Sequence, residues 1–224
     1  MSVFQNIVKL WNADDLLSQA WDKSYRMMML SNEIFTQAIK YLREGENEDT
    51  IRALKKRDIE INNFQKDVRR KVMTHYSVSQ DVDNLPSGLI LLNMVVDVER
   101  VGDYTKNILD LALNHPNTIR SEDFSDDLHH VEQEVIERFR KTLEAIHTQD
   151  ADVARNLMTT YKETLTSVSD KIVNGCISGE ITLGHESKTV ALALYARYLK
   201  RIGAHLKNIT TVLVNPFDAV GYKQ

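Results

Sequence analysis

One short segment occurs twice in this chain. Residues 100–108 read RVGDYTKNI and residues 201–209 read RIGAHLKNI, an offset of 101 residues at which Arg, Gly, Lys, Asn and Ile coincide. Asn114 maps to Asn215 at the same offset, each beside a proline-containing turn. A period near 100 is too long for a solenoid unit of 20–50 residues. It fits two copies of a larger supersecondary unit.

The chain has 224 residues with only 8 Gly and 3 Pro. An all-β sandwich or barrel needs a turn about every 8–12 residues, so this scarcity argues against one. Breaker residues instead cut the chain into long pieces. They lie at Gly45, Ser77 to Gly88 with Pro86, and His115-Pro116-Asn117, then near Thr148–Asp152, Asn174–Gly184 and Asn215-Pro216. Ser121-Glu122-Asp123 reads as a helix cap and restart. Six stretches of roughly 20 to 35 residues remain, each readable as an amphipathic helix. In the second, Ile51, Leu54, Asp58, Ile61, Gln65, Val68 and Val72 step by three and four, a seam containing one carboxylate. Leu128, Val131, Val135, Phe139, Thr142 and Ile146 form the same seam in the fourth stretch. Leu17, Ala20, Ser24, Met28, Phe35, Ala38 and Leu42 do so in the first. Met27-Met28-Met29 reads as adaptable core filling. The expected fold is all-α: two tandem three-helix repeats, residues 1–117 and 118–224, forming a six-helix bundle.

Composition removes several function classes. Net charge is −4, so nucleic acid is not an expected partner. A single cysteine, Cys176, excludes a disulfide framework and any CxxC metal site, and points to a reducing cytosol. Met1 to Leu10 lacks the pattern of a signal peptide. The longest apolar stretch, Leu89 to Val98, is interrupted by Asn93 and Asp97 and is about half a bilayer span. No GxxxxGK[ST], GxGxxG or GxSxG motif occurs, and none of the seven histidines forms an HxxxH pair.

The chemistry-bearing residues lie in the first copy. Glu99 and Asp103 are four apart and share a helix face, where like charges repel unless a cation is supplied. Asp58 lies in the seam of the preceding helix, and antiparallel packing would bring it near them. Three converging carboxylates favour an oxygen-held cation: Fe, Mn, Mg or Ca, with Zn also compatible. Gly102 would let a neighbouring helix come close. The competing reading is a solvated face on which Arg100 and Lys106 pair with these acids. In the second copy Lys200 stands for Glu99 and Ala204 for Asp103, and the match to Asp58 falls near Tyr161. Lys200 is expected to place a fixed positive charge where a metal would otherwise sit.

Asp97-Val-Glu-Arg-Val-Gly-Asp-Tyr-Thr-Lys-Asn-Ile108 and Arg197-Tyr-Leu-Lys-Arg-Ile-Gly-Ala-His-Leu-Lys-Asn-Ile209 resemble the motif of the PhoU family of phosphate-uptake regulators. That motif, close to LERIGDxxxNI, ends each of two three-helix repeats, and the resemblance extends over nearly the whole chain. It implies a six-helix cytoplasmic protein that negatively regulates phosphate uptake and phosphate-responsive signalling. It implies partners too: a phosphate transporter, a sensor histidine kinase, or both, with the membrane reached only through them. It further implies one Fe, Zn, Mn or Mg site in the first repeat, held by Asp58, Glu99 and Asp103. Arg100, Gly102 and Asn107 match the supporting motif positions there, and Arg201, Gly203 and Asn208 are what survives of the motif in the second copy. A homodimer stands among the expectations. Two other readings stay open: a metal-dependent phosphohydrolase using Asp58, Glu99 and Asp103, and a purely structural dimerisation bundle.

Overall fold

The computed structural model describes residues 15–79, 84–115 and 126–222. Among them every regular element is helical: α1 (Leu16–Glu44), α2 (Glu48–Lys56), α3 (Asp58–Val78), α4 (Leu85–Asn114), α5 (Asp126–Thr148), α6 (Ala151–Tyr161), α7 (Ser167–Ser178) and α8 (Glu186–Thr211). A π-helical turn, Lys162–Thr166, joins α6 to α7, and a 3-10 turn, Phe217–Ala219, follows α8. α2 with α3 makes one broken rod, and α6 with the π turn and α7 makes another. The result is the expected six rods, three per repeat. The boundary at 117/118 and the cap at Ser121–Asp123 lie outside the described residues.

The three seams read from the sequence form the core. Leu17, Ala20, Ser24, Met28, Phe35, Ala38 and Leu42 are buried, as are Leu128, Val131, Val135, Phe139, Thr142 and Ile146. Each fully buried Leu, Ile or Phe contributes about 1.5–3 kcal/mol by leaving water. Met27 and Met28 are buried, whereas Met29 is half exposed. In the second stretch Ile51, Leu54, Ile61, Val68 and Val72 are buried, and Asp58 and Gln65 sit at the edge.

Element ends follow local chemistry. Asp15 caps α1 by accepting from the Ser18 N–H, Asn47 caps α2 through Thr50, and Asp150 caps α6 through Asp152 and Val153. Gly45 and Gly179 have φ of 80°, which glycine adopts without strain. Two breaker stretches are shorter than read. α4 starts at Leu85 with Pro86 in its first turn, where a missing N–H leaves no bond unmade. α7 continues through Gly175 to Ser178.

Within the first repeat α4 packs on α1 and α3; within the second α8 packs on α5, α6 and α7. The repeats meet mainly where α4 crosses α8, with α1 against α5 beside it. Phe35 and Phe139 pack there as a tilted pair, ring centroids 5.7 Å apart. The motif helices of both copies are therefore central, each facing its own middle rod and the other copy.

Candidate functional site

The break between α2 and α3 fixes the acidic site. Arg57 ends α2 and is held by Glu60 (3.0 Å) and Glu33 (2.5 Å). Asp58 thus begins α3, where the helix dipole favours a negative charge. α3 lies close on α4 at Gly102. A Cβ there would come within 3.2 Å of Ile61 Cδ1 and 3.5 Å of Asp58 Oδ1. That approach brings Asp58 to the face carrying Glu99 and Asp103, as the sequence suggested.

What bridges the acids is an ammonium group. Lys106 Nζ is 3.0 Å from Asp58 Oδ2 and 2.9 Å from Asp103 Oδ1. Asn62 Nδ2 also donates to Asp58 Oδ2 at 2.8 Å, while Oδ1 is buried without a hydrogen bond. Arg100 takes the outer side, 3.1 Å from Asp103 Oδ2 and 3.8 Å from Glu99 Oε2. Burial, reinforced by Asp103, raises the pKa of Glu99. Burial pulls down the pKa of Lys106, but its hydrogen bonds to Asp103 and Asp58 carry it above the usual lysine value. Arg100, Asp103, Tyr104, Lys106 and Asn107 line an open groove of about 380 Å³. The pairings foreseen for a solvated face are present, and one of them, Lys106 with Asp58, crosses from α4 to α3.

The second copy uses the same backbone differently. A Cβ on Gly203 would fall well inside contact distance of buried Leu165, in the π turn, and 3.4 Å from Tyr161. Tyr161 thus stands where Asp58 stands in the first copy, and its hydroxyl donates to the Lys200 carbonyl (3.3 Å). Lys200 Nζ bonds both oxygens of Asp170, at 2.6 and 2.7 Å. Buried Arg138 holds the π turn from α5. It donates to the Leu157 carbonyl (2.5 Å) and to the hydroxyls of Thr160 (2.8 Å) and Thr164 (3.0 Å), and pairs with Glu134 (2.7 Å).

Between the copies lies a polar seam. His205 Nδ1 is 2.7 Å from Asp97 Oδ1, and Asn208 Nδ2 donates to the same oxygen at 3.2 Å. Arg201 Nε donates to Tyr104 Oη (3.1 Å), and the Tyr104 ring stacks on His205 at 5.8 Å. Asp97 and Arg138 were missed by sequence reasoning. A signal for Asp97 existed: positions 97 and 198 correspond, as do 104 and 205. Asp97 meets His205, whereas Tyr198 meets Tyr104 (6.3 Å).

The implied metal can be tested against these donors. Among the described residues no three His, Cys, Asp or Glu side chains group so as to hold a metal ion. Asp58 and Asp103 share the Lys106 ammonium, and an Fe, Zn, Mn or Mg ion between them would have to displace it. As arranged, the residues do not fit a metal.

The sequence model of the PhoU domain matches residues 25–112 and again residues 128–213. Among the curated proteins none matches. Among solved structures the chain is similar to PhoU from Pseudomonas aeruginosa, with TM-score 0.77 and 18% identity, covering 91% of this chain and 97% of that one. It is also similar to the phosphate transport system regulatory protein PhoU from Streptococcus pneumoniae, with TM-score 0.71 and 16% identity, covering 88% and 93%. At such identities the likeness shows the fold. The family model, which spans most of the chain as two copies on the two helical repeats, shows that this chain belongs to the PhoU family.

Proposed function

We propose that this chain is a cytoplasmic negative regulator of phosphate uptake and phosphate-responsive signalling. It acts without turnover, as a helical adaptor to a phosphate transporter, a sensor histidine kinase, or both, and a homodimer is part of the proposal. The observation that carries this reading is the pair of PhoU domains over residues 25–112 and 128–213. Two further features support it. No helix among the described residues is long and apolar enough to cross a membrane. The acids a phosphohydrolase would use are engaged with Lys106 and Arg100, which works against a metal-activated water there.

The test is a deletion strain grown in excess phosphate, with uptake measured, and the tagged chain recovered from solubilised membranes. Uptake that stays high without the chain, and recovery of a phosphate transporter or histidine kinase with it, are expected. Uptake unchanged by the deletion, or metal-stimulated hydrolysis of a phosphate ester lost in Glu99→Gln, would overturn the reading.

A further inference from the structure

Each repeat places one lysine ammonium against carboxylates of its middle rod. In the first, Lys106 on α4 spans Asp58 on α3 and Asp103 on its own helix. In the second, Lys200 on α8 holds both oxygens of Asp170 on α7. These two lysines do not correspond in the repeat. The counterpart of Lys106 is Lys207, which donates to the Gly221 carbonyl, and the counterpart of Lys200 is Glu99. The same device is therefore built twice from different positions.

We propose that this chain carries its cations covalently: Lys106 in the first repeat and Lys200 in the second supply the positive charge that ties the motif helix to the middle rod, and the fold needs no metal. An ammonium has one charge and three donors, enough to serve two carboxylate oxygens and water. Being tethered, it acts at an effective concentration in the millimolar range or above, against which a free ion must compete. A divalent ion would also have to leave Lys106 without its carboxylates, in a partly buried place. The second repeat has Ala204 and Tyr161 where the first has Asp103 and Asp58, and among the described residues its Lys200 pairs with Asp170. This inference rests on the geometry of these side chains and stands whether or not the regulatory reading does.

Removal of the first tether tests it. Protein purified without chelator is assayed for bound metal by mass spectrometry, then titrated with Mn²⁺ by calorimetry, as wild type, Lys106→Ala and Lys106→Met. The methionine variant keeps the apolar stem should the alanine variant fail to fold, and circular dichroism verifies both. Wild type is expected to hold substoichiometric metal and to keep its melting temperature in chelator. The folded Lys106 variant is expected to bind Mn²⁺ at least tenfold more tightly than wild type, and to lose that gain when Asp103→Asn is added. Stoichiometric metal in the wild type, removed by Asp103→Asn, overturns the proposal. So does a folded Lys106 variant that gains no Mn²⁺ affinity.

Discussion

His205 reaches 108 residues back along the chain to Asp97, and the 2.7 Å contact between them joins the motif helices of the two repeats. Both side chains are largely buried. Asp97→Ala removes the shared acceptor of His205 and Asn208, and losing a partner of buried polar groups costs about 1–3 kcal/mol. For a chain of this length each kcal/mol moves the melting temperature by about 2–4 °C. Thermal unfolding followed by circular dichroism should show that drop. The His205→Ala/Asp97→Ala double variant should lose less than the two single losses added together.

A second buried pair lies deeper. Arg43 on α1 meets Glu132 on α5 at 2.8 Å, and the Tyr195 hydroxyl on α8 donates to the same carboxylate. Burial and the adjacent carboxylate push the Tyr195 pKa far above its ordinary value, so it remains a donor at any physiological pH. Glu132→Ala takes the carboxylate from a buried guanidinium and should cost about 3–5 kcal/mol in urea unfolding. Replacing both members, Arg43→Met with Glu132→Leu, should recover most of that loss.

The two motif glycines should respond unequally to alanine. At Gly203 the new methyl meets buried Leu165, and overpacking of this kind costs about 1–3 kcal/mol. At Gly102 the nearest atom is the tip of Ile61, at 3.2 Å, and alanine's better helix propensity offsets the strain by about 1 kcal/mol. Denaturant midpoints should fall for Gly203→Ala and stay within experimental scatter for Gly102→Ala.

Glu99 sets a pH dependence of definite sign. Its pKa is raised in the folded chain from an ordinary 4.5, chiefly by burial and then by Asp103. Between the unfolded and folded values the native state holds the extra proton, so stability falls as pH rises through that interval. Above it the charged carboxylate carries a constant penalty. Glu99→Gln should therefore be more stable than wild type at pH 7, with the difference closing as the pH drops below 4.5. A variant equally stable at pH 7 would show that Arg100 cancels the penalty.

The helical class, the repeat and the seam residues were legible because core-facing positions impose a 3.6-residue period that survives in one sequence. The seam of Leu128, Val131, Val135, Phe139, Thr142 and Ile146 lies wholly in the core for that reason. The approach of Asp58 to the Glu99 and Asp103 face was legible too, since a glycine in a long helix marks a close neighbour. The role of Lys106 was not. Spacing placed it beside Asp103 on its own helix, but its bond to Asp58 depends on how far α3 is rotated at the Arg57 break. The π turn was equally hidden, because its support, Arg138, comes from another helix. Asp97 escaped notice because its partner lies in the other repeat.

The differing treatment of the two motif copies bears on how alike the two halves are in charge. The motif of α4 carries Glu99, Arg100, Asp103 and Lys106; the corresponding positions of α8 are Lys200, Arg201, Ala204 and Lys207. A partner that reads charge meets two unlike faces on a nearly symmetric scaffold.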